Sequence, residues 1–192
     1  MKQMKVRDII RLADAMLGTD IDQRVFVKEQ MDDELFDAVK SDRTLQKLVG
    51  CVNLALCELA EEYLPLTACQ TVTAGGIVPY ARFERSPVQI LSARQGGNVR
   101  YVYRPDGVEF EAEGDVEVEY TYRPGERGFL DEVETGGGQI GVRTLAYAVC
   151  AEYCLQNGDY DEAQVWDKRY KDNLLNALSK KSEISIKKRE WR

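Results

Sequence analysis

The chain has 192 residues, of which 44% are hydrophobic and 31% are charged, and its formal net charge is −7. These proportions exclude wholesale disorder and are ordinary for a folded globular protein. No apolar run approaches the roughly 20 residues that span a bilayer, and no apolar segment follows the first lysines as it would in a signal peptide. The sequence therefore predicts one domain, or one domain with an inserted lobe, that stays where it is made and has no membrane partner.

The first third of the chain predicts helices. Apolar residues recur at helical spacing from Val6 to Leu17, and Gly18 follows at a position that favours a left-handed helix end. A second, weaker helix is expected from about Arg24 to Val39, with Phe26, Leu35, Phe36 and Val39 in the core. The longest periodic segment begins after Ser41-Asp42 and ends before Pro65. Residues 1–66 are thus assigned to the N-terminal helices of a bundle.

The hydrophobic period then changes from helical spacing to alternation. Short β-rich pieces lie between glycine and proline breaks, and the clearest of them runs from Val116 to Tyr122. Its valines and tyrosines would line one face, and Glu117, Glu119 and Thr121 would line a wet face. We assign residues 67–124 to an inserted antiparallel β lobe and residues 125–141 to a flexible linker rich in glycine and acidic residues.

Helical spacing returns near the C-terminus as a predicted hairpin over residues 142–178. Gly158 would end the first helix, Asp159 would cap the second, and Glu162 would complete a capping box. The second helix would bury Ala163, Trp166, Tyr170, Leu174 and Ala177. The predicted hairpin framework consists of Gly158, Asp159, Glu162, Trp166 and Tyr170.

Charge is segregated along the sequence. Residues 106–134 contain eleven acidic residues and two arginines, whereas residues 168–192 contain nine basic residues and three acidic ones. Segregation of this kind is typical of a protein that meets copies of itself, or partners, through opposite faces. The alternative is two differently charged surfaces that face only solvent.

No enzyme constellation is found. The chain contains no histidine, so a Ser-His or Cys-His nucleophile system is excluded, and the alternating carboxylates fit the wet face of strands. Gly136-Gly137-Gly138 lacks the lysine and hydroxyl pair of a phosphate-binding loop, so a hinge is favoured there. The five cysteines (Cys51, Cys57, Cys69, Cys150 and Cys154) are interpreted as buried thiols. We expect no catalytic residue, metal site or cofactor; a hydrolase would need a mechanism that uses carboxylates alone.

The last fourteen residues, 179–192, are interpreted as an extended basic tail. Its apolar residues are separated by polar ones, which suits docking in a partner's groove or addition of a strand to a sheet edge. Folding back on its own chain is a second interpretation, and binding of nucleic acid through phosphate contacts and base stacking is a third. The candidate partner-binding residues of the tail are Ile184, Ile186, Lys187, Lys188, Arg189, Trp191 and Arg192.

The order of elements resembles the head-to-tail connector, or adaptor, proteins of tailed bacteriophages. The segments that carry this resemblance are ELAEEYLPL at residues 58–66, AVCAEYCL at 148–155 followed by Gly158, Glu162-Ala163, Trp166 and Tyr170, and KREW at 188–191. The resemblance implies an α+β fold, with a bundle of about five helices, an inserted antiparallel β lobe and an extended basic C-terminal tail.

The same resemblance implies a structural virion protein of the neck. It would assemble in the host cytoplasm as a ring of about twelve subunits, between the portal protein and a tail or stopper protein. DNA would pass through the lumen without sequence-specific binding, and the tail would reach the portal or a neighbouring subunit. The candidate lumen-facing acids are Glu109, Glu111, Glu113, Glu117 and Glu119. The alternative function is a nucleic-acid-binding or regulatory module that uses the basic tail.

Overall fold

The computed structural model describes residues 4–28, 30, 32–136 and 140–179. Within these residues the protein is α+β, with five α-helices and two antiparallel sheets of three strands each, which confirms the predicted class. The described residues form two compact units. The helical unit lies within Met1–Ala55, Arg127–Val133 and Gly138–Arg192, and the β unit lies within Leu56–Glu126 and Glu134–Gly137.

The helices follow the predicted order. In the part of the chain that the structure describes they are α1 (Val6–Leu17), α2 (Asp33–Ser41), α3 (Arg43–Glu58), α4 (Val142–Asn157) and α5 (Tyr160–Ser179). The third helix continues as a π turn at Leu59–Tyr63 and stops before Pro65, as the sequence predicts. Strands occupy the sequence between α3 and α4, so the β lobe is inserted between helices.

The C-terminal end of α1 is fixed by a left-handed glycine and a buried carboxylate. Gly18 has φ +66° and donates its N–H to the Asp14 carbonyl oxygen at 2.8 Å, which confirms the predicted helix end. The Asp14 carboxylate accepts from the Thr19 hydroxyl at 2.6 Å and from the Gln23 amide at 2.9 Å. A buried carboxylate with several donors is well compensated, so the chain after α1 is held rigidly against it.

The single helix predicted from Arg24 to Val39 is wrong. The segment instead forms a 3₁₀ turn at Gln23–Phe26 and the separate helix α2. The side chain of Asp32 accepts a hydrogen bond from the Leu35 N–H at 2.7 Å, so a new helix starts there. Phe36, expected in the core, is exposed.

The predicted linker, residues 125–141, contains an anchored segment in the helical unit. Phe129 is buried, and its ring centroid lies 5.9 Å from that of Phe26. The Asn53 side-chain amide donates to the Arg127 carbonyl at 3.1 Å, and its oxygen accepts from the Arg127 N–H at 2.8 Å. The N–H of Val6 also donates to the Asp131 carbonyl. Residues 137–139, in the predicted hinge, lie outside the described residues.

The β unit contains six strands within the described residues, in the region where the sequence predicts short β-rich pieces. They are β1 (Leu66–Ala74), β2 (Ile77–Pro79), β3 (Pro87–Arg94), β4 (Tyr101–Arg104), β5 (Gly107–Phe110) and β6 (Gly114–Tyr122). The two sheets have strand orders β1-β6-β3 and β2-β5-β4, and all pairs are antiparallel.

The core of the β unit confirms the alternation read from β6. Val116, Val118, Tyr120 and Tyr122 are buried, whereas the residues between them are exposed or half-buried. The ring of Phe83 meets Tyr120 edge to face, with centroids 5.2 Å apart. The same cluster contains Val78, Val108 and Phe110 of the other sheet, so the β unit has a hydrophobic core of its own.

Candidate partner-binding surfaces

The α4–α5 hairpin forms as predicted, with its turn at Gly158. This glycine has φ +86°, and its N–H donates to the Leu155 carbonyl at 3.1 Å. The next N–H, of Asp159, donates to the Cys154 carbonyl at 3.0 Å, so the last carbonyl groups of α4 have partners. The Glu162 carboxylate accepts from the Cys154 thiol at 3.9 Å. Its predicted role in a capping box remains a prediction.

An aromatic and cationic stack joins the two helices of the hairpin. The rings of Tyr147 and Trp166 are stacked, with centroids 5.7 Å apart. The guanidinium of Arg169 lies over the Trp166 ring at 4.7 Å from its centroid. On the other side, Nε of Arg143 donates to the Tyr147 hydroxyl at 2.8 Å. Both arginines are exposed, so the stack places two cations beside an aromatic surface that a partner can cover.

A groove of about 430 Å³ lies beside this stack, between the end of α1 and the first half of α5. Its apolar side chains are Met16 and Leu17 from α1 and Val165 and Trp166 from α5. Charged side chains border it, and together the lining residues are Met16, Leu17, Asp161, Glu162, Val165, Trp166 and Arg169. An apolar floor with a charged rim is the arrangement found at protein–protein interfaces.

Helix α5 itself is largely exposed. Of its 20 residues, only Ala163, Tyr170 and Leu174 are buried. Trp166, predicted to be buried, is half-buried, whereas Val165 is 51% exposed and Leu175 is 60% exposed. Of the predicted framework residues, Tyr170 is thus buried in the core, whereas Trp166 lines the groove.

The wet face of β6 is acidic, as the alternation predicts. Its carboxylates are those of Asp115, Glu117 and Glu119. Neighbouring strands place small donors beside them: the Thr73 hydroxyl donates to Asp115 at 2.9 Å, and the Ser92 hydroxyl donates to Glu119 at 3.2 Å. These donors are neutral, whereas Arg94 of β3 lies directly opposite Glu117 and offsets part of the negative charge of the face.

The five predicted lumen-facing acids do not share one face. Glu117 and Glu119 lie on β6, whereas Glu109 lies on β5, in the other sheet. The Glu109 carboxylate is paired with the Arg104 guanidinium at 2.7 Å. Glu111 and Glu113 follow β5 and line a separate pocket with Gly75, Gly76 and Glu109. Alternation indicated the faces of single strands correctly, but it could not indicate which strands share a sheet.

Three of the five cysteines are buried thiols, as predicted, whereas Cys57 is half-buried and Cys69 is exposed. Burial raises the pKa of Cys51 to about 11 and that of Cys150 to about 12, so both stay protonated at neutral pH. Cys69 is exposed on β1, where a hydrogen bond to the Glu117 carboxylate raises its pKa. Within the described ranges no group of three or more Cys, Asp or Glu side chains could hold a metal ion.

The predicted tail residues belong to residues 180–192, which are outside the part of the chain that the structure describes. Ile184, Ile186, Lys187, Lys188, Arg189, Trp191 and Arg192 all lie outside the described residues. In contrast, the groove residues Met16, Leu17 and Val165 were missed because the sequence places α1 and α5 about 150 residues apart. The only local signal was the spacing of aromatic and basic residues, four between Arg143 and Tyr147 and three between Trp166 and Arg169.

No protein-family model and no curated protein sequence matches the chain. Across the described residues, none of the helices combines the length and apolar character needed to cross a lipid bilayer.

Proposed function

We propose that this chain is a structural virion protein, a head-to-tail connector that forms a ring between the portal and the tail and lets DNA pass through its lumen. The observation that carries the proposal is the surface of α5, a helix of 20 residues that buries only three of them. A helix that is exposed on most sides, and that carries Val165 and Leu175 on its surface, suits an element whose partners are other subunits.

The groove beside α5 has the chemistry of an interface centre. Tryptophan, arginine and methionine are enriched at such centres, and Trp166, Arg169 and Met16 lie together here. The stacked Tyr147 holds the Trp166 ring in place, so little side-chain entropy would be lost when a partner covers it.

A ring contact joins one face of a subunit to a different face of the next. The helical unit also exposes the apolar side chain of Phe36, which is 53% exposed. The Lys40 ammonium lies 5.7 Å from the Phe36 ring centroid, so this surface combines an aromatic side chain with a cation. It is suited to a groove that has an apolar floor and the carboxylates of Asp161 and Glu162 on its rim.

The acidic face of β6 supports the proposed passage of DNA. A lumen lined by carboxylates such as those of Glu117 and Glu119 would repel the phosphate backbone and keep DNA from adhering. The basic tail, residues 179–192, is assigned to the portal or to a neighbouring subunit. Replacing Trp191 by alanine should then weaken assembly and leave the melting temperature unchanged.

Native mass spectrometry of the full chain, with and without the candidate portal protein, tests the proposal. We expect a ring or a portal complex, and the substitution Val165→Asp should weaken its assembly at least about tenfold. Leu54→Asp is the matched control, since Leu54 is also 51% exposed and lies outside the groove. A chain that stays monomeric and ignores portal protein would refute the connector function. Assembly that Val165→Asp leaves unchanged while Leu54→Asp abolishes it would refute the groove as the contact between subunits.

The alternative function is a nucleic-acid-binding or regulatory module that uses the basic tail. It requires binding of DNA that falls steeply with salt and that is lost when residues 180–192 are removed. Measuring DNA binding by fluorescence anisotropy at several salt concentrations distinguishes the two functions, because the connector has no need of such affinity.

A further inference from the structure

The two sheets of the β unit leave a seam between β1 and β2. Within the described residues, β1 is hydrogen-bonded to a strand on one side only, by β6, and β2 on one side only, by β5. The two strands follow each other in sequence through Gly75 and Gly76, and they belong to different sheets. Alternate residues of β1 therefore direct their N–H and C=O groups away from β6, towards the seam.

The opposite seam, between β3 and β4, is closed. The Val99 N–H donates to the Ala93 carbonyl at 2.8 Å, which joins the ends of the two strands. Further along, the Ile90 N–H donates to the Tyr103 hydroxyl at 2.7 Å, and the Tyr101 hydroxyl donates to the Ile90 carbonyl at 2.9 Å. Two side chains of β4 thus satisfy the N–H and the carbonyl of Ile90 at the edge of β3.

At the β1–β2 seam the Gln70 side chain donates to the Arg82 carbonyl at 3.0 Å, which closes one end. The seam forms a groove of about 630 Å³. The groove is lined by residues 70–79 and by Arg82, so strand backbone makes up much of its wall. Ile77 of β2 lies in this wall and is 44% exposed. The groove therefore offers unpaired strand edges and one apolar contact, which are the features that bind an extended segment by strand addition.

We propose that residues 182–187 of a second copy of this chain add as a strand in the β1–β2 seam. The segment reads SEISIK, in which Ile184 and Ile186 alternate with polar residues, as in a strand with one apolar face. Both are β-branched residues that favour extended backbone. The two isoleucines would contact Ile77, and the backbone of the segment would pair with the free edge of β1.

Charge complementarity supports this occupant. Lysines flank the SEISIK segment on both sides: Lys180 and Lys181 precede it, and Lys188 follows. The turn at one end of the seam, Gly75-Gly76, borders a pocket that is lined by Glu109, Glu111 and Glu113. Because Glu109 is paired with Arg104, the attraction of a basic segment to this end of the seam rests on Glu111 and Glu113. The inference needs two copies to meet but requires neither a portal nor a ring, so it can fail while the connector function stands.

Photo-crosslinking in the full chain tests the inference. The photoreactive residue p-benzoylphenylalanine replaces Ile186, and copies of normal and heavy isotopic composition are mixed in the unfolded state and refolded together. We expect crosslinks from position 186 to peptides of residues 70–82 that join a normal copy to a heavy one. Crosslinks only within single copies, crosslinks to other peptides, or none at all would overturn the proposal.

Matched substitutions sharpen the test. Ile77→Lys places a cation and removes an apolar contact in the seam, so the yield of crosslinks between copies should fall at least about tenfold. Val102→Lys is the control, because Val102 is 45% exposed on β4 and lies outside the seam. In the tail, Ile184→Asp should lower the yield far more than Ser185→Asp, which adds the same charge on the other face. Equal effects of the two members of either pair would refute strand addition at this site.

Discussion

Two helices of one hairpin, α4 and α5, differ sharply in how much of their surface is buried. Nine of the 16 residues of α4 are buried, against three of the 20 residues of α5. Helix α4 packs against α1 on one side and against α5 on another, whereas α5 makes its main contact with α4 alone. The difference teaches that α4 supports the fold of the helical unit and that α5 presents a surface.

The exposed part of α5 mixes charge with isolated apolar residues. The Lys171 ammonium pairs with the Asp167 carboxylate at 2.8 Å, four residues apart, and such exposed pairs stabilise a helix only slightly. The apolar side chains of Val165 and Leu175 are 51% and 60% exposed. If α5 serves assembly, substitutions of its exposed residues should change association and leave the fold intact, whereas substitutions of the buried residues of α4 should unfold the unit.

The largest contrast is expected from one substitution made in both helices. Val149→Asp places an unpaired carboxylate where the side chain is completely buried, so it should lower the free energy of unfolding by more than about 4 kcal/mol or prevent folding. Val165→Asp should change it by less than about 0.5 kcal/mol, because that side chain already faces water. Urea denaturation followed by circular dichroism measures both. If both variants lost similar amounts of unfolding free energy, α5 would be as important to the fold as α4.

A smaller contrast is expected between neighbouring leucines of α5. Leu174 is 0% exposed, so Leu174→Ala should cost about 2–5 kcal/mol of unfolding free energy through lost burial and the cavity left behind. Leu175→Ala, one residue on, should cost less than about 0.5 kcal/mol. Thermal and urea unfolding of the two variants would test whether the contact with α4 fixes the orientation of α5. A costly Leu175→Ala would mean that a further element covers that face.

The helical hairpin could be predicted from sequence because its signals are local. The glycine at 158 and the apolar spacing act within a few residues of the chain, and both act as expected. The N-terminal region was harder, because Asp32 starts α2 with a side-chain hydrogen bond that a search for apolar periodicity does not detect. The burial of Phe129 could not be predicted, because its segment has the composition of a linker and its partner Phe26 lies about 100 residues earlier in the chain.

The candidate surfaces were less predictable for a related reason. Alternation identified Glu117 and Glu119 as wet residues, because the period of a strand fixes its faces. The order of strands in the two sheets depends on long-range pairing, so neither the separation of Glu109 from β6 nor the open β1–β2 seam could be read from the sequence. The groove at Val165 likewise needs α1, which is far away in the chain.

The turn that separates the two helices should respond to substitution with a definite sign. Gly158 has a positive φ, so Gly158→Ala should lower the free energy of unfolding by about 1 kcal/mol. The control is Gly50→Ala in α3, where an added Cβ meets no atom within 4 Å. Helix propensity predicts that Gly50→Ala raises the free energy of unfolding by about 0.5–1 kcal/mol. Denaturant unfolding of both variants measures the two signs, and a stabilising Gly158→Ala would contradict the left-handed turn.

The smallest effect is expected where like charges of α4 and α5 face each other. Burial, and then the Asp167 carboxylate of α5, raise the pKa of Glu152 above its ordinary value of 4.5. A carboxyl whose pKa is raised on folding contributes stability below its unfolded pKa, and that contribution is lost as the pH rises through the raised pKa. At neutral pH the charged Glu152 is therefore unfavourable.

Because this side chain is partly exposed, Glu152→Gln should raise the free energy of unfolding by less than about 0.5 kcal/mol. This gain in the free energy of unfolding should appear at pH 7 and vanish below pH 4, where Glu152 is protonated in the folded and unfolded states. The control is Asp172→Asn on the exposed side of α5, which removes the same charge and should bring no such gain. Unfolding free energies of the three proteins across that pH range measure it. If both variants raise the free energy of unfolding at pH 7, the effect comes from net charge and not from the contact between α4 and α5.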